Sequence, residues 1–144
     1  MRIRGLNPSI FRIWLSLCLV LAAGAANSTD ARKWQQSSLE GKFMVELIST
    51  EPTIGLNEFH TWRLVIRDAD SNQGVSPVRV VVGGGMEAHG HGLPTQPQVT
   101  EHLGDGEYQL EGLKFNMAGS WQLILDINTE DKADRVVFDL TIDN

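Results

Sequence analysis

Apolar and polar residues alternate with a period of two along most of the chain from residue 42 onward. Successive side chains of a β-strand point to opposite faces, so this alternation predicts strands with one buried face. No window of about twelve residues keeps apolar positions at helical spacing. The positions predicted to face inward are Phe43, Val45, Leu47, His60, Trp62, Leu64, Ile66, Val78, Val80, Val82, Tyr108, Leu110, Trp121, Leu123, Leu125, Ile127, Val136, Phe138, Leu140 and Ile142.

Clusters of turn-forming residues, such as DADSNQG, HLGDG and NTEDKAD, separate these stretches. Several short strands joined by frequent turns are typical of an antiparallel sandwich. The sequence therefore predicts an all-β fold, a single immunoglobulin-like β-sandwich of about seven strands over residues 42–144. Tyr108 follows the turn Gly104–Gly106, and we expect its hydroxyl to bond back to that turn as a structural tyrosine corner.

The N-terminus has the pattern of a secretory signal peptide. Three arginines precede an uncharged run from Ile13 to Ala26, which is shorter than the roughly 20 residues that span a bilayer. Cleavage after Ala25 or Ala26 is predicted, which places the protein in the periplasm or outside the cell. An uncleaved anchor is the alternative. Residues 27–41 are polar and are expected to form a tether or a loosely held first segment.

Charge and cysteine content exclude several classes of function. Residues 1–26 hold three of the 12 basic residues and none of the 18 acidic ones, so the remainder carries nine basic and 18 acidic side chains, a formal charge of −9. A basic patch for nucleic acid is therefore not expected. The single cysteine, Cys18, lies in the leader, which excludes thiolate chemistry and a blue-copper site from the domain. No nucleophile elbow surrounds Ser120 and no HExxH motif occurs, so we do not expect an enzyme.

Residues 83–97, GGGMEAHGHGLPTQP, combine five glycines with two histidines and a methionine. Three interpretations compete for this predicted loop. A nucleotide-binding loop is rejected, because Gly83, Gly85 and Ala88 are not followed by a helix. A metal site and a purely structural crossover both remain open.

The metal interpretation rests on four side chains. His89 and His91 are two residues apart, so in extended backbone they share a face. Met86 lies on the same loop, and Met117 precedes the strand that begins near Trp121. Imidazole and thioether together favour Cu(I). In the structural interpretation the methionines fill the core and the imidazoles bond to backbone carbonyls; His60 and His102 are remoter candidates for ligands.

Residues 83–127 resemble the YtkA-like/FixH-like group of exported small β-sandwich domains. The matching positions are Met86, His89, Gly90, His91, Gly92, Pro94, Gly104, Asp105, Gly106, Tyr108, Phe115, Met117, Gly119 and Trp121. FixH-like members are membrane-anchored and associated with copper delivery to cbb-type cytochrome oxidases. The resemblance therefore implies an exported copper-binding accessory protein or chaperone, with a metal ion and a periplasmic or membrane protein as partners. The alternative is a metal-free interaction module.

Two departures from the FixH pattern are visible. The leader lacks the longer anchor, and Glu87 stands where the family has a proline after the first loop methionine. We expect Glu87 to be a solvated charge.

Overall fold

The computed structural model describes residues 31–143, which form a two-layered antiparallel β-sandwich. The predicted signal peptide, residues 1–26, lies outside the described residues. One sheet has the strand order β1-β2-β3-β7-β6 and the other the order β5-β4-β8-β9. A single turn of 3-10 helix, Glu87–His89, separates β4 from β5. The strands are β1 Lys33–Ser37, β2 Phe43–Ser49, β3 His60–Asp68, β4 Arg79–Met86, β5 His91–Gly92, β6 Gln98–Gly104, β7 Glu107–Leu113, β8 Gly119–Asn128 and β9 Ala133–Ile142.

The core lies between the inner faces of the two sheets, as the alternation predicts. Strands β2, β8 and β9 bury every second side chain. Valines 78, 80 and 82 are only half-buried, because β4 lies near the open side of its sheet. The predicted all-β, immunoglobulin-like sandwich is confirmed, with nine strands among residues 31–143 rather than about seven.

Strand β1 lies in the polar segment predicted to be a tether. Its five residues pair with β2 in register, and the Trp34 ring stacks on Trp62 with centroids 5.3 Å apart. The expectation of a loose tether is therefore wrong for Lys33–Ser37. All residues of β1 except Trp34 are exposed. The strand therefore shows no alternation of apolar and polar residues by which the sequence could predict it.

The Tyr108 hydroxyl is structural, but its partner differs from the expected one. It donates a 2.5 Å hydrogen bond to the carbonyl oxygen of Val75, 33 residues upstream, rather than to the adjacent turn. Burial raises the pKa of Tyr108 above its ordinary value. This effect is larger than the lowering of the pKa by a hydrogen bond with Ser76. The tyrosine thus ties β7 to the segment that precedes β4.

Asp134 at the start of β9 holds the β1–β2 turn against the other sheet. Its carboxylate accepts hydrogen bonds from the backbone N–H groups of Glu40, Lys42 and Arg135. Burial raises the pKa of Asp134, but these bonds and one from Ser38 outweigh it and lower the pKa to about 2. Hydrogen bonds to the carboxylate lower its pKa because they stabilise the ionised form and are weakened when the carboxylate is protonated.

Acid is therefore expected to weaken the sandwich through Asp134. The folded pKa, about 2, lies below the ordinary 3.8, so the stabilisation is complete above pH 3.8 and is lost as the pH falls towards 2. Urea unfolding at pH values between about 6 and 2.5 should show a smaller pH dependence in Asp134→Asn than in the parent protein. Asp139→Asn, an exposed position on the same strand, is the matched control; an equal change in both variants would contradict the assignment.

None of the helical structure within residues 31–143 is long or apolar enough to cross a membrane.

Candidate functional site

The candidate residues lie where β4, the 3-10 turn, β5 and the start of β8 meet. The glycines of the GGG motif do not begin a loop as predicted: β4 continues through Gly83–Gly85 to Met86. A Cβ at Gly84 would clash with the Gln122 backbone carbonyl, and one at Gly85 would lie 2.6 Å from the Gly92 Cα atom. Glycine therefore allows β8 and β5 to approach β4 closely enough to pair.

His89 and His91 form an exposed pair of imidazoles. His89 ends the 3-10 turn and His91 begins β5, and their ring centroids are 5.9 Å apart at an interplanar angle of 35°. A metal about 2.0 Å from one nitrogen of each ring places the two centroids about 5–6 Å apart. The spacing of the rings therefore fits two ligands of one ion.

The ring of His91 is oriented by two neighbours. Its Nδ1 atom lies 3.3 Å from the carbonyl oxygen of Gly92, a weak hydrogen bond that requires the proton on Nδ1. The ring also meets the buried ring of Trp121 edge-on, with centroids 5.9 Å apart. This arrangement leaves the Nε2 lone pair of His91 available, and a backbone partner on the second nitrogen is what metal-bound histidines ordinarily have.

Met86 lies opposite His91 in the β4–β5 register, so both side chains are on the same face of the sheet. It is 3% exposed and belongs to the hydrophobic core. Its Cε atom lies so close to Gly119 that a Cβ there would come within 2.8 Å of it. The Met86 side chain is thus fixed by packing on the face of the sheet that carries His91.

Met117 is half-buried against the core. Its carbonyl oxygen accepts a 3.1 Å hydrogen bond from Nε1 of Trp121, so the ring that supports His91 is fixed to the Met117 backbone. The structure brings the segment of Met117 to the same end of the sandwich as His91. Trp121 links the two, and sequence reasoning treated it only as a core residue.

The two remoter histidines lie elsewhere. His60 is buried, with Nδ1 2.8 Å from the Glu51 carboxylate and Nε2 2.8 Å from the Gly55 carbonyl oxygen. Both ring nitrogens therefore already face an oxygen acceptor of the protein, and neither is directed at open space where a metal could bind. His102 stacks on Tyr108 of β7, with centroids 4.7 Å apart.

A shallow groove of about 350 Å³ borders the site and is lined by residues of β4, the 3-10 turn, β5 and β8, including Glu87, His91 and Gln122. Glu87 is exposed, as a solvated charge would be. Within residues 31–143, no three His, Cys, Asp or Glu side chains are grouped to hold a metal. A metal on the imidazole pair would therefore draw on a ligand of another type, such as a thioether.

Comparison with known proteins finds one family. The family model described as YtkA-like matches residues 40–126, which run from the end of the β1–β2 turn into β8. No curated protein and no solved structure matches the chain. The FixH-like part of the resemblance stays a prediction.

Proposed function

This chain belongs to the YtkA-like family, and we propose that it is an exported binding protein that holds Cu(I) as a copper accessory protein or chaperone. Periplasmic or extracellular location is part of the proposal, and so is a protein partner that donates or receives the metal. The proposed ligands are His89, His91, Met86 and Met117.

The observation that carries the proposal is the exposed pair of imidazoles with one ring held by the backbone. Two histidines 5.9 Å apart at the tip of a β-hairpin contribute nothing to the core, since both are exposed. A buried thioether lies on the same face as one of them. Imidazole and thioether donors without a thiolate or carboxylate favour Cu(I) over Zn²⁺ or Ca²⁺.

Different residues would orient the histidine ligands and supply the thioether. Gly92 and Trp121 orient the His91 ring, while the 3-10 turn presents His89 at its side. Met86 is anchored in the core, so copper would meet its sulfur without a large loss of side-chain entropy. The imidazoles remain at the surface, where a partner's ligands can reach the ion and take it over.

The burial of the methionines favours a second candidate function, a metal-free interaction module. Met86 is almost wholly enclosed and Met117 packs against the core, as methionines that only fill space do. In that case the hairpin carries His89 and His91 for contact with a protein.

A Cu(I) titration against a competing chelator tests the proposal. The parent protein is expected to bind one Cu(I), and His89→Ala/His91→Ala should weaken binding more than about 100-fold, because both surface ligands are removed. Met86→Leu, which nearly conserves volume, should weaken it about tenfold while the fold is retained. His102→Ala and Met44→Leu are matched controls, since both are placed on other strands.

Unchanged stoichiometry and affinity in the double histidine variant would contradict the copper proposal. If the parent protein binds no Cu(I) but the same variant loses a protein partner, the interaction module is supported instead.

A further inference from the structure

Among the described residues, no strand pairs with the outer edge of β4 over Arg79–Gly83. On its other side β4 pairs with β8 over Arg79–Gly85 without a register shift. On this side β5 pairs only with Gly85 and Met86. The amide of Leu93 donates a hydrogen bond to the carbonyl of Gly84. Beyond that point no strand within residues 31–143 is hydrogen-bonded to this edge, although β6 of the other sheet lies alongside β4.

The backbone groups on this edge are identifiable. The Gly84 carbonyl points to the β5 side, and N–H and C=O groups of an extended strand alternate in direction with each residue. Val82 and Val80 therefore present their N–H and C=O groups to the open edge, while those of Val81 face β8. Beside the edge runs a groove of about 450 Å³ between the sheets, lined by β4 and by residues 96–99.

The other sheet edges are protected in ways that this one is not. Strand β6 has two register irregularities against β7 and follows Pro97. On the edge of β9, the carbonyl oxygens of Arg135 and Thr141 accept hydrogen bonds from the Leu39 amide and the Arg32 side chain. Strand β1 carries Lys33 and three exposed polar residues. Bulges, covering contacts, lysine and proline are the devices that prevent edge-to-edge pairing. Residues 79–83 read RVVVG and have no lysine, proline or bulge; Arg79 is their one charged residue.

We propose that β4 pairs with β4 of a second copy, antiparallel about a two-fold axis at Val81. Val80 then lies opposite Val82 of the other copy, and the two pairs exchange four backbone hydrogen bonds. The pairing joins the two four-stranded sheets into one continuous sheet.

Charge and length both suit a second copy. The chain carries 18 acidic side chains and a formal charge of −6, so two copies repel over most of their surface. Residues 78–86 hold one charge, Arg79, and no carboxylate; in the proposed pairing Arg79 faces Gly83. The unpaired edge, residues 79–83, ends just before the residues that pair with β5. The five unpaired residues of one copy can therefore pair with the same five residues of the other.

The joint is small. Only about five residues of each chain pair, well below the area of a standard stable interface, so a dissociation constant on the order of 10–100 μM is expected.

Sedimentation equilibrium of the exported protein from about 10 to 500 μM tests this. The parent protein should show a monomer–dimer equilibrium. Val82→Pro should weaken it more than about tenfold, because the variant loses an N–H that faces the open edge and not the β4–β8 ladder. Val82→Thr, which keeps that N–H, should retain the dimer.

A cysteine at the axis gives a second test that does not depend on Val82→Pro folding. Residues facing each other in a non-hydrogen-bonded pair have Cα atoms about 4.5 Å apart, within the range of a disulfide. In a Cys18→Ser background, Val81→Cys should form a disulfide-linked dimer on mild oxidation. Thr141→Cys, also exposed but on β9, should not.

A parent protein that stays monomeric throughout the concentration range would overturn the proposal and leave the edge to a strand of some other protein. A dimer that Val82→Pro leaves intact, or equal cross-linking at positions 81 and 141, would place the interface elsewhere.

Discussion

Trp121→Ala is expected to lower the free energy of unfolding by about 3–5 kcal/mol. The ring is 1% exposed and packs edge-on against Phe115 with centroids 5.3 Å apart. Its loss leaves a large cavity in a core that relaxes only partly. It also leaves the Met117 carbonyl without the Nε1 donor. Against a total stability of about 5–15 kcal/mol, urea unfolding should show a large fall in the midpoint.

Trp121→Phe separates the two contributions. It keeps an aromatic ring but has no N–H donor, so the loss should be smaller, about 1–2 kcal/mol. A change below about 1 kcal/mol in Trp121→Ala would mean that the ring is not packed as the structure places it. Because His91 rests on this ring, the alanine variant should also weaken Cu(I) binding if the proposed copper site is correct.

Gly84→Ala is expected to cost about 3 kcal/mol or more. Gly84 has φ 128°, and an added Cβ would lie 2.9 Å from the Gln122 carbonyl carbon and still closer to its oxygen. Those atoms belong to the paired strand β8, so they cannot rotate away as a flexible side chain would. Chemical unfolding measures the loss, and the imidazole pair beyond β4 should be displaced with it.

Gly104→Ala is the matched control for backbone strain alone. Gly104 has φ 107°, and a Cβ there would meet nothing within 4 Å. Its substitution should therefore cost only about 1–2 kcal/mol, the penalty for an L-residue at positive φ. Equal losses at the two positions would show that the close approach of β8 to Gly84 does not matter.

Strands with one buried face were predictable, and strands whose side chains are mostly exposed were not. In β8 and β9 the inner face is apolar and the outer face mixed, so a period of two marks them. In β1 and β6 nearly all side chains are exposed, and such strands are held by backbone pairing that leaves no periodic apolar signal. The short β5 has the same character, and its pairing depends on Gly85, where a Cβ would clash with the backbone of His91 and Gly92.

For the candidate site, the sequence identified the residues but not their environments. The spacing of His89 and His91 predicted that they share a face, and the rings do lie side by side, although a 3-10 turn rather than extended backbone places them so. The spacing of residues along the sequence does not predict that Met86 is buried or that the His91 ring packs against Trp121. His60, predicted to face inward and named as a remoter ligand, is buried, and its two ring nitrogens face Glu51 and Gly55 of the preceding loop.

By itself, the sequence determined the fold class and led to the four proposed ligands, because alternation and motif spacing are local properties of the chain. Only the tertiary structure decided that β4 runs through the glycine motif, that Trp121 joins His91 to the Met117 backbone and that no described strand pairs with the outer edge of β4 over Arg79–Gly83. Each of these depends on contacts between residues far apart in sequence. Such contacts form where the two sheets bury their apolar faces together, and local sequence patterns do not reveal which edges and ring faces then meet.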